Sequence, residues 1–163
     1  PCPPAGSREG AALGRKMIGF LERENRRLRR SAASLQGIGL AANQVGVLKR
    51  VCVVRTGPSW LVLVNPRVVA RCLARVLWEE RCLSLPGVTA PALRHAWVEV
   101  EADNLRGAEH LGPASGEGPW VGAQLLPAVV AQHEISHLAG LLMTDFAPPE
   151  GGPDPLTWFG EPR

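Results

Sequence analysis

Apolar positions recur along this chain with two different periods. From residue 11 to about residue 35, Leu13, Met17, Phe20, Leu21 and Leu28 fall on one stripe at helical spacing, interrupted by Glu24. The other face carries Arg15, Arg23, Arg26, Arg27 and Arg30, so the segment reads as an amphipathic helix with a basic outer side. β-type runs follow. Residues 47–54 and 60–64 are valine-rich and flank the turn cluster Thr56-Gly57-Pro58-Ser59. Residues 72–78 are a third candidate strand. Residues 97–101 alternate, with Val98 and Val100 opposite Trp97, Glu99 and Glu101. Segments 104–107 and 111–118 are rich in turn formers. A second helix is predicted over 124–139, with Pro127 in its first turn and Gly140 placed to end it. The order is helix, several short antiparallel-type strands, then a late helix, without internal repeat: an α+β chain. Residues 1–10 read as a flexible leader and 148–163 as a Pro/Gly-rich tail.

Composition narrows the picture only a little. With 163 residues, 45% hydrophobic and 20% charged, the chain has material for one packed core. Its longest apolar stretch, residues 125–143, carries Gln132, His133, Glu134 and His137 through its middle, which argues against a membrane span. The net charge of +3 is mild and comes from sixteen Arg against only Lys16 and Lys49. The basic helix face is therefore either a solvated surface or a contact for ribosomal RNA or another anion; nothing points to DNA. Cys2, Cys52, Cys72 and Cys82 are irregularly spaced with no CxxC pair, which leaves thiols for packing or metal binding. No signal-type apolar segment follows Pro1, and the expected compartment is the reducing cytoplasm.

The chemistry concentrates in His133-Glu134-Ile135-Ser136-His137, an HExxH motif on the late helix. Residues at i and i+4 project from one helix face, so both imidazoles can hold one divalent ion. The adjacent glutamate then stands beside the open metal position, placed to take a proton from water and pass it to a leaving group. Leu126, Val129, Val130 and Leu141 share roughly that face and would wall a pocket. Two satisfied structural histidines are the competing reading. A buried helix has few structural reasons to carry two His and a Glu together, and that favours the metal. A further protein ligand is needed. Asp145 and Glu150 are poorly placed, whereas Cys82 lies in 79–87, read as a loop that breaks the strand pattern. Cys52, inside a valine strand, reads as a core residue; Cys72 reads the same way, and Cys2 falls in the leader. A last feature, residues 37–44 (Gly-Ile-Gly-Leu-Ala-Ala-Asn-Gln), combines small residues that admit a close backbone approach with the side-chain amide of Gln44.

Taken together, three segments resemble the peptide deformylases, whose signatures GxGLAAxQ, EGCLS and HExDH occur in that order. Here residues 37–44 are intact, residues 80–84 read ERCLS, and residues 133–137 read HEISH. The resemblance implies a peptide deformylase-like catalytic domain over 11–147 and removal of N-formyl from the terminal methionine of nascent polypeptides. It implies Cys82, His133 and His137 as ligands of one divalent metal, Fe(II) in cells, with zinc, nickel or cobalt in purified protein. Glu134 would be the general acid/base. Gln44 and the backbone N–H of Leu83 would form the oxyanion site. Gly39 and the stretch around Arg81 would pair with the peptide backbone, while Ile38, Leu126, Val129, Val130 and Arg94 would line the pocket for the first side chain. Two departures stand out: Arg81 replaces the usual Gly, and Ser136 the usual Asp. They keep two alternatives open, a deformylase-like paralogue with another small formyl or amide substrate, and a metal-stabilised domain without activity. Glu134 and Gln44 argue against the second, since neither is needed merely to hold metal.

Overall fold

A computed structural model describes residues 1–31, 36–114 and 120–148, with the side chains of residues 29–31 left aside. The tail expected over 148–163 falls almost wholly outside the described residues, as do residues 32–35 of the first predicted helix.

Helix α1 spans Ser7–Ser31 and so begins four residues before the predicted start at residue 11. Gly10 N–H donates to the Gly6 carbonyl, and Glu9 in the first turn suits the helix dipole. Its buried face is Met17, Leu21 and Asn25, with Gly10 and Gly14 set against Val64 and Val62. Phe20, read as part of the stripe, is 38% exposed. Burying Met17 and Leu21 stabilises the docked helix by about 1.5–3 kcal/mol each.

Strands β1 (Gly39–Ala41), β2 (Val51–Thr56) and β3 (Ser59–Val64) form one antiparallel sheet in that order. The β2–β3 hairpin turns at Gly57, whose φ of +61° suits glycine, and Pro58. Val51 and Val53 face α1, whereas Cys52 and Val54 face the main core, so both sides of β2 are covered. That double burial explains its unbroken apolar run. Cys52 is fully buried, as its neighbours suggested, and burial pushes its thiol pKa well up.

A second sheet has the order β4 (Arg67–Arg71), β7 (Val98–Glu101), β8 (Glu109–Leu111). Val98 and Val100 are buried, as the alternation predicts. Strands β5 (Arg75–Cys82) and β6 (Leu85–His95) form a long hairpin. The third strand lies at Arg75–Cys82 rather than 72–78, and residues 79–87 are the hairpin's end, not a loop. Helix α2 (Gly122–Leu138) packs against the first sheet and β6. Pro127 is its sixth residue and so sits past the first turn, while Gly140, at φ +85°, ends the helix as expected. A short 3₁₀ turn, Met143–Phe146, returns against β6.

The N-terminal segment is not a free leader. Cys2 N–H donates to the Leu138 carbonyl, Arg50 N–H to the Pro3 carbonyl, and Ala5 exchanges two hydrogen bonds with the Asn65 side chain. Ala5 is buried, and Cys2 packs against the main core.

Candidate active site

Each metal-type side chain is placed by a regular element. His133 and His137 project from one face of α2, and Cys82 ends β5 on the inward side shared by Val76 and Glu80. All three are buried, with ligand atoms within 4.8 Å of one another. Cys82 Sγ lies 3.2 Å from His137 Nε2, which lies 3.0 Å from His133 Nε2.

The outer nitrogens explain why these inner atoms converge. His133 Nδ1 is 2.7 Å from Glu80 Oε2, and His137 Nδ1 is 3.1 Å from the Leu141 carbonyl. Each acceptor favours the proton on Nδ1 and turns the Nε2 lone pair toward the shared point. Two lone pairs and a thiol at such spacing are stable only around a proton or a cation. The charge balance agrees. Burial opposes ionisation of Cys82, but hydrogen bonds from His133, His137 and the Ser84 backbone outweigh it and bring the thiol down to about 5. Burial also opposes charge on His133, yet Cys82 and Glu80 raise it to about 10. The donor set of one thiolate and two imidazoles therefore fits a single divalent first-row ion.

Glu134 follows His133 into the interior. Burial pushes its carboxyl up to about 7, although the charges of His133 and His137 pull the other way. Its Oε2 is buried without a hydrogen-bond partner among the described residues. Gly39 supplies the space, because a Cβ there would collide with Glu134 and stand 2.7 Å from Val130 Cγ1.

Gln44 closes the site from the 3₁₀ turn Ala42–Val45. Its Oε1 accepts from Ala41 N–H at 2.8 Å, which aims Nε2 at Ser84 Oγ, 3.0 Å, and Cys82 Sγ, 3.5 Å. An open cleft of about 640 Å³ runs over this cluster. Ile38, Gly39, Gln44, Arg81, Leu83, Leu126, Val129, Val130, His133 and Glu134, all expected there, line it. β1 borders the cleft as the outer strand of its sheet, and among the described residues no strand pairs with its other edge, where an added strand could lie.

Two expected wall residues are elsewhere. Leu141 is 41% exposed and contributes its carbonyl instead of its side chain. Arg94, 2% exposed, lies beneath the cleft and grips Glu80 with two hydrogen bonds of 2.7 and 2.9 Å. It also reaches Ser136 Oγ at 3.3 Å and lies 4.0 Å from the centre of the Phe146 ring. Glu80 is the partner that the sequence reading left without a role. Burial works to raise its carboxyl, but hydrogen bonds from Arg94 and His133 prevail and hold it below its ordinary value. Two-residue alternation back from Cys82 would have put Glu80 on the inner face; taking 79–87 as a loop hid it. Asn43 was passed over as well, and its Nδ2 donates to the His137 carbonyl at 2.6 Å.

An HExxH helix completed by a strand-borne cysteine, with a glutamate whose Oε2 lacks a hydrogen-bond partner among the described residues beside a peptide-sized cleft, defines a hydrolase of the metal-binding HExxH class. Residues 7–151 match the polypeptide deformylase family model. A peptide deformylase of Desulfitobacterium hafniense is 45% identical over 111 residues, covering 68% of this chain and 67% of that protein. The crystal structure of the Thermotoga maritima peptide deformylase superposes with a TM-score of 0.60 at 30% identity, covering 83% of each chain. A class I type b peptide deformylase from Acinetobacter baumannii gives 0.62 at 26% identity, covering 89% of this chain and 88% of the other. The chain belongs to the polypeptide deformylase family. It is a peptide deformylase, a hydrolase that removes the N-formyl group from nascent polypeptides.

Proposed function

We propose that Cys82, His133 and His137 hold one divalent ion and that Glu134 carries the proton of the deformylation step. The observation behind this reading is the buried, unpartnered Glu134 Oε2 beside three converging ligand atoms. A bound ion supplies Lewis acidity, polarising the formyl carbonyl and making water more acidic. Glu134 takes the proton that the attacking water releases and returns it to the amine as the C–N bond breaks. Burial raises its carboxyl above the ordinary value, which favours its holding the proton between the two halves of that exchange. Gln44 Nε2 and the Leu83 N–H stand as donors to the oxygen that gains charge. Ile38, Leu126, Val129 and Val130 offer an apolar wall for the methionine side chain, and Gly39 and Arg81 flank the peptide backbone. Iron(II) is the proposed ion in cells, with zinc, nickel or cobalt as substitutes, and the cytoplasm is the proposed compartment.

Glu134→Gln tests the assignment. The amide keeps shape and leaves the three ligands intact, so metal content should match the parent while turnover falls by about 10²–10⁴-fold. A fully metallated variant with parental turnover would move proton transfer to another group.

A further inference from the structure

The positive charge of this protein is concentrated on α1. The helix carries eight Lys and Arg against three Glu, a net +5 in a chain whose total is only +3. The rest of the molecule is therefore net acidic. The arrangement is sharper than the count. At 100° per residue, Arg8, Arg15, Lys16, Arg23, Arg26 and Arg27 fall within an arc of about 120°, opposite the buried Met17 and Leu21. From Arg8 to Arg27 the stripe runs about 29 Å along the helix. Arg8, Arg15, Lys16, Arg23, Arg26 and Arg27 are exposed. Among the described residues the helix makes only two ion pairs, Arg27–Glu24 at 3.9 Å and Glu9–Lys49 at 3.7 Å, both loose and solvated. Arg26 also shares a cleft of about 290 Å³ with Arg55, Asn25, Glu22 and Trp60, and Arg55 stacks over the Trp60 ring.

The stripe ends beside the substrate cleft. Asn25 exchanges two hydrogen bonds with the Gly37 backbone, and Leu28, Gln36 and Gly37 line the cleft wall.

We infer that the outer face of α1 is an RNA-binding surface that seats the cleft on ribosomal RNA beside its nascent substrate. The choice of RNA over a membrane follows from the other face of the helix. An interfacial helix needs a free apolar side to insert, and here that side is spent on β2 and β3. Guanidinium groups, which dominate the stripe, match phosphate oxygens in pairs. The location beside the cleft rests on the deformylase reading; the RNA contact itself does not.

The test measures co-sedimentation of the full chain with purified ribosomes across a salt series, alongside formate release from free formyl-Met-Ala-Ser. The variants are Arg23→Gln/Arg26→Gln/Arg27→Gln and the matching triple Lys replacement. None of these residues lines the substrate cleft. The Gln variant should bind ribosomes at least about tenfold more weakly, with the slope of log K against log salt reduced by about 2–3. Its tripeptide turnover should equal that of the parent, and the Lys variant should keep most of the binding. Equal ribosome affinity of parent and Gln variant would overturn the proposal. So would a parent that does not bind, or that binds anionic phosphatidylglycerol vesicles as tightly as ribosomes. Ribosome binding without formate release from the tripeptide would uphold the RNA surface and sink the deformylase assignment instead.

Discussion

Cys82 and Cys52 carry the same side chain in opposite situations. Cys52 is sealed among valines and its thiol is pushed up by burial; Cys82 meets two imidazoles and is brought down to about 5. Replacing Cys82 with Ala should therefore strip or weaken metal binding, whereas Cys52→Ala should cost stability and leave metal content alone. Metal analysis of both purified variants decides, and equal content in Cys82→Ala and parent would remove Cys82 from the ligand set. Arg81 raises a question of specificity. It is exposed on β5, lines the cleft and has no ion-pair partner among the described residues. It should favour formyl-Met tripeptides with a free C-terminal carboxylate over amidated ones, by several-fold at most because the site is solvated. That preference should fade in 1 M salt, where the screening length is roughly 3 Å. If Arg81→Gly keeps the same preference, the arginine is a bystander; a uniform gain in rate would make it a steric obstruction. At this scale the site was legible wherever chemistry has a fixed spacing, as with His133, Glu134 and His137. Arg94 was not legible as a brace, because only the fold brings it under Glu80, fourteen residues away in sequence.

Among the elements, the β5–β6 hairpin and α2 must be held in register for the ligands to meet. The buried Arg94–Glu80 pair, with His133 on the second carboxylate oxygen, ties them. Removing one charge of such a pair leaves the other buried and uncompensated, a loss of about 3–5 kcal/mol. Arg94→Met should therefore destabilise more than the double variant Arg94→Met/Glu80→Gln, and Glu80→Gln alone should weaken metal affinity by about 10–100-fold. Denaturant unfolding of the full cycle gives the coupling, and simple additivity would show that the pair is not acting as a unit. Both helices and β2, β3 and β7 were visible in the sequence because one or both of their faces are continuously apolar. β4 was not. Its Val68 and Val69 face outward, and a register shift between Val68 and Ala70 interrupts the alternation.

At the scale of the molecule, α2 is sandwiched into the core so that His133 and Glu134 reach the cleft together with Leu126, Val129 and Val130, while α1 covers the back of the first sheet. The N-terminal tie was the least readable part of the design. Asn65, at φ +52°, turns its side chain to Ala5 and Asp103, a link across sixty residues that no local pattern announces. Pro and Gly near the start suggested looseness where long-range hydrogen bonds impose order. Whether the assembled molecule hydrolyses formyl groups through an ion at Cys82, His133 and His137 comes down to one titration. Protein stripped by chelation and kept free of oxygen is reloaded stepwise with iron(II) or nickel, and formate release from formyl-Met-Ala-Ser is followed against bound metal. Turnover should be absent in the stripped protein and rise linearly to a plateau at one ion per chain. Undiminished formate release from metal-free protein, or none at full loading, would contradict the assignment.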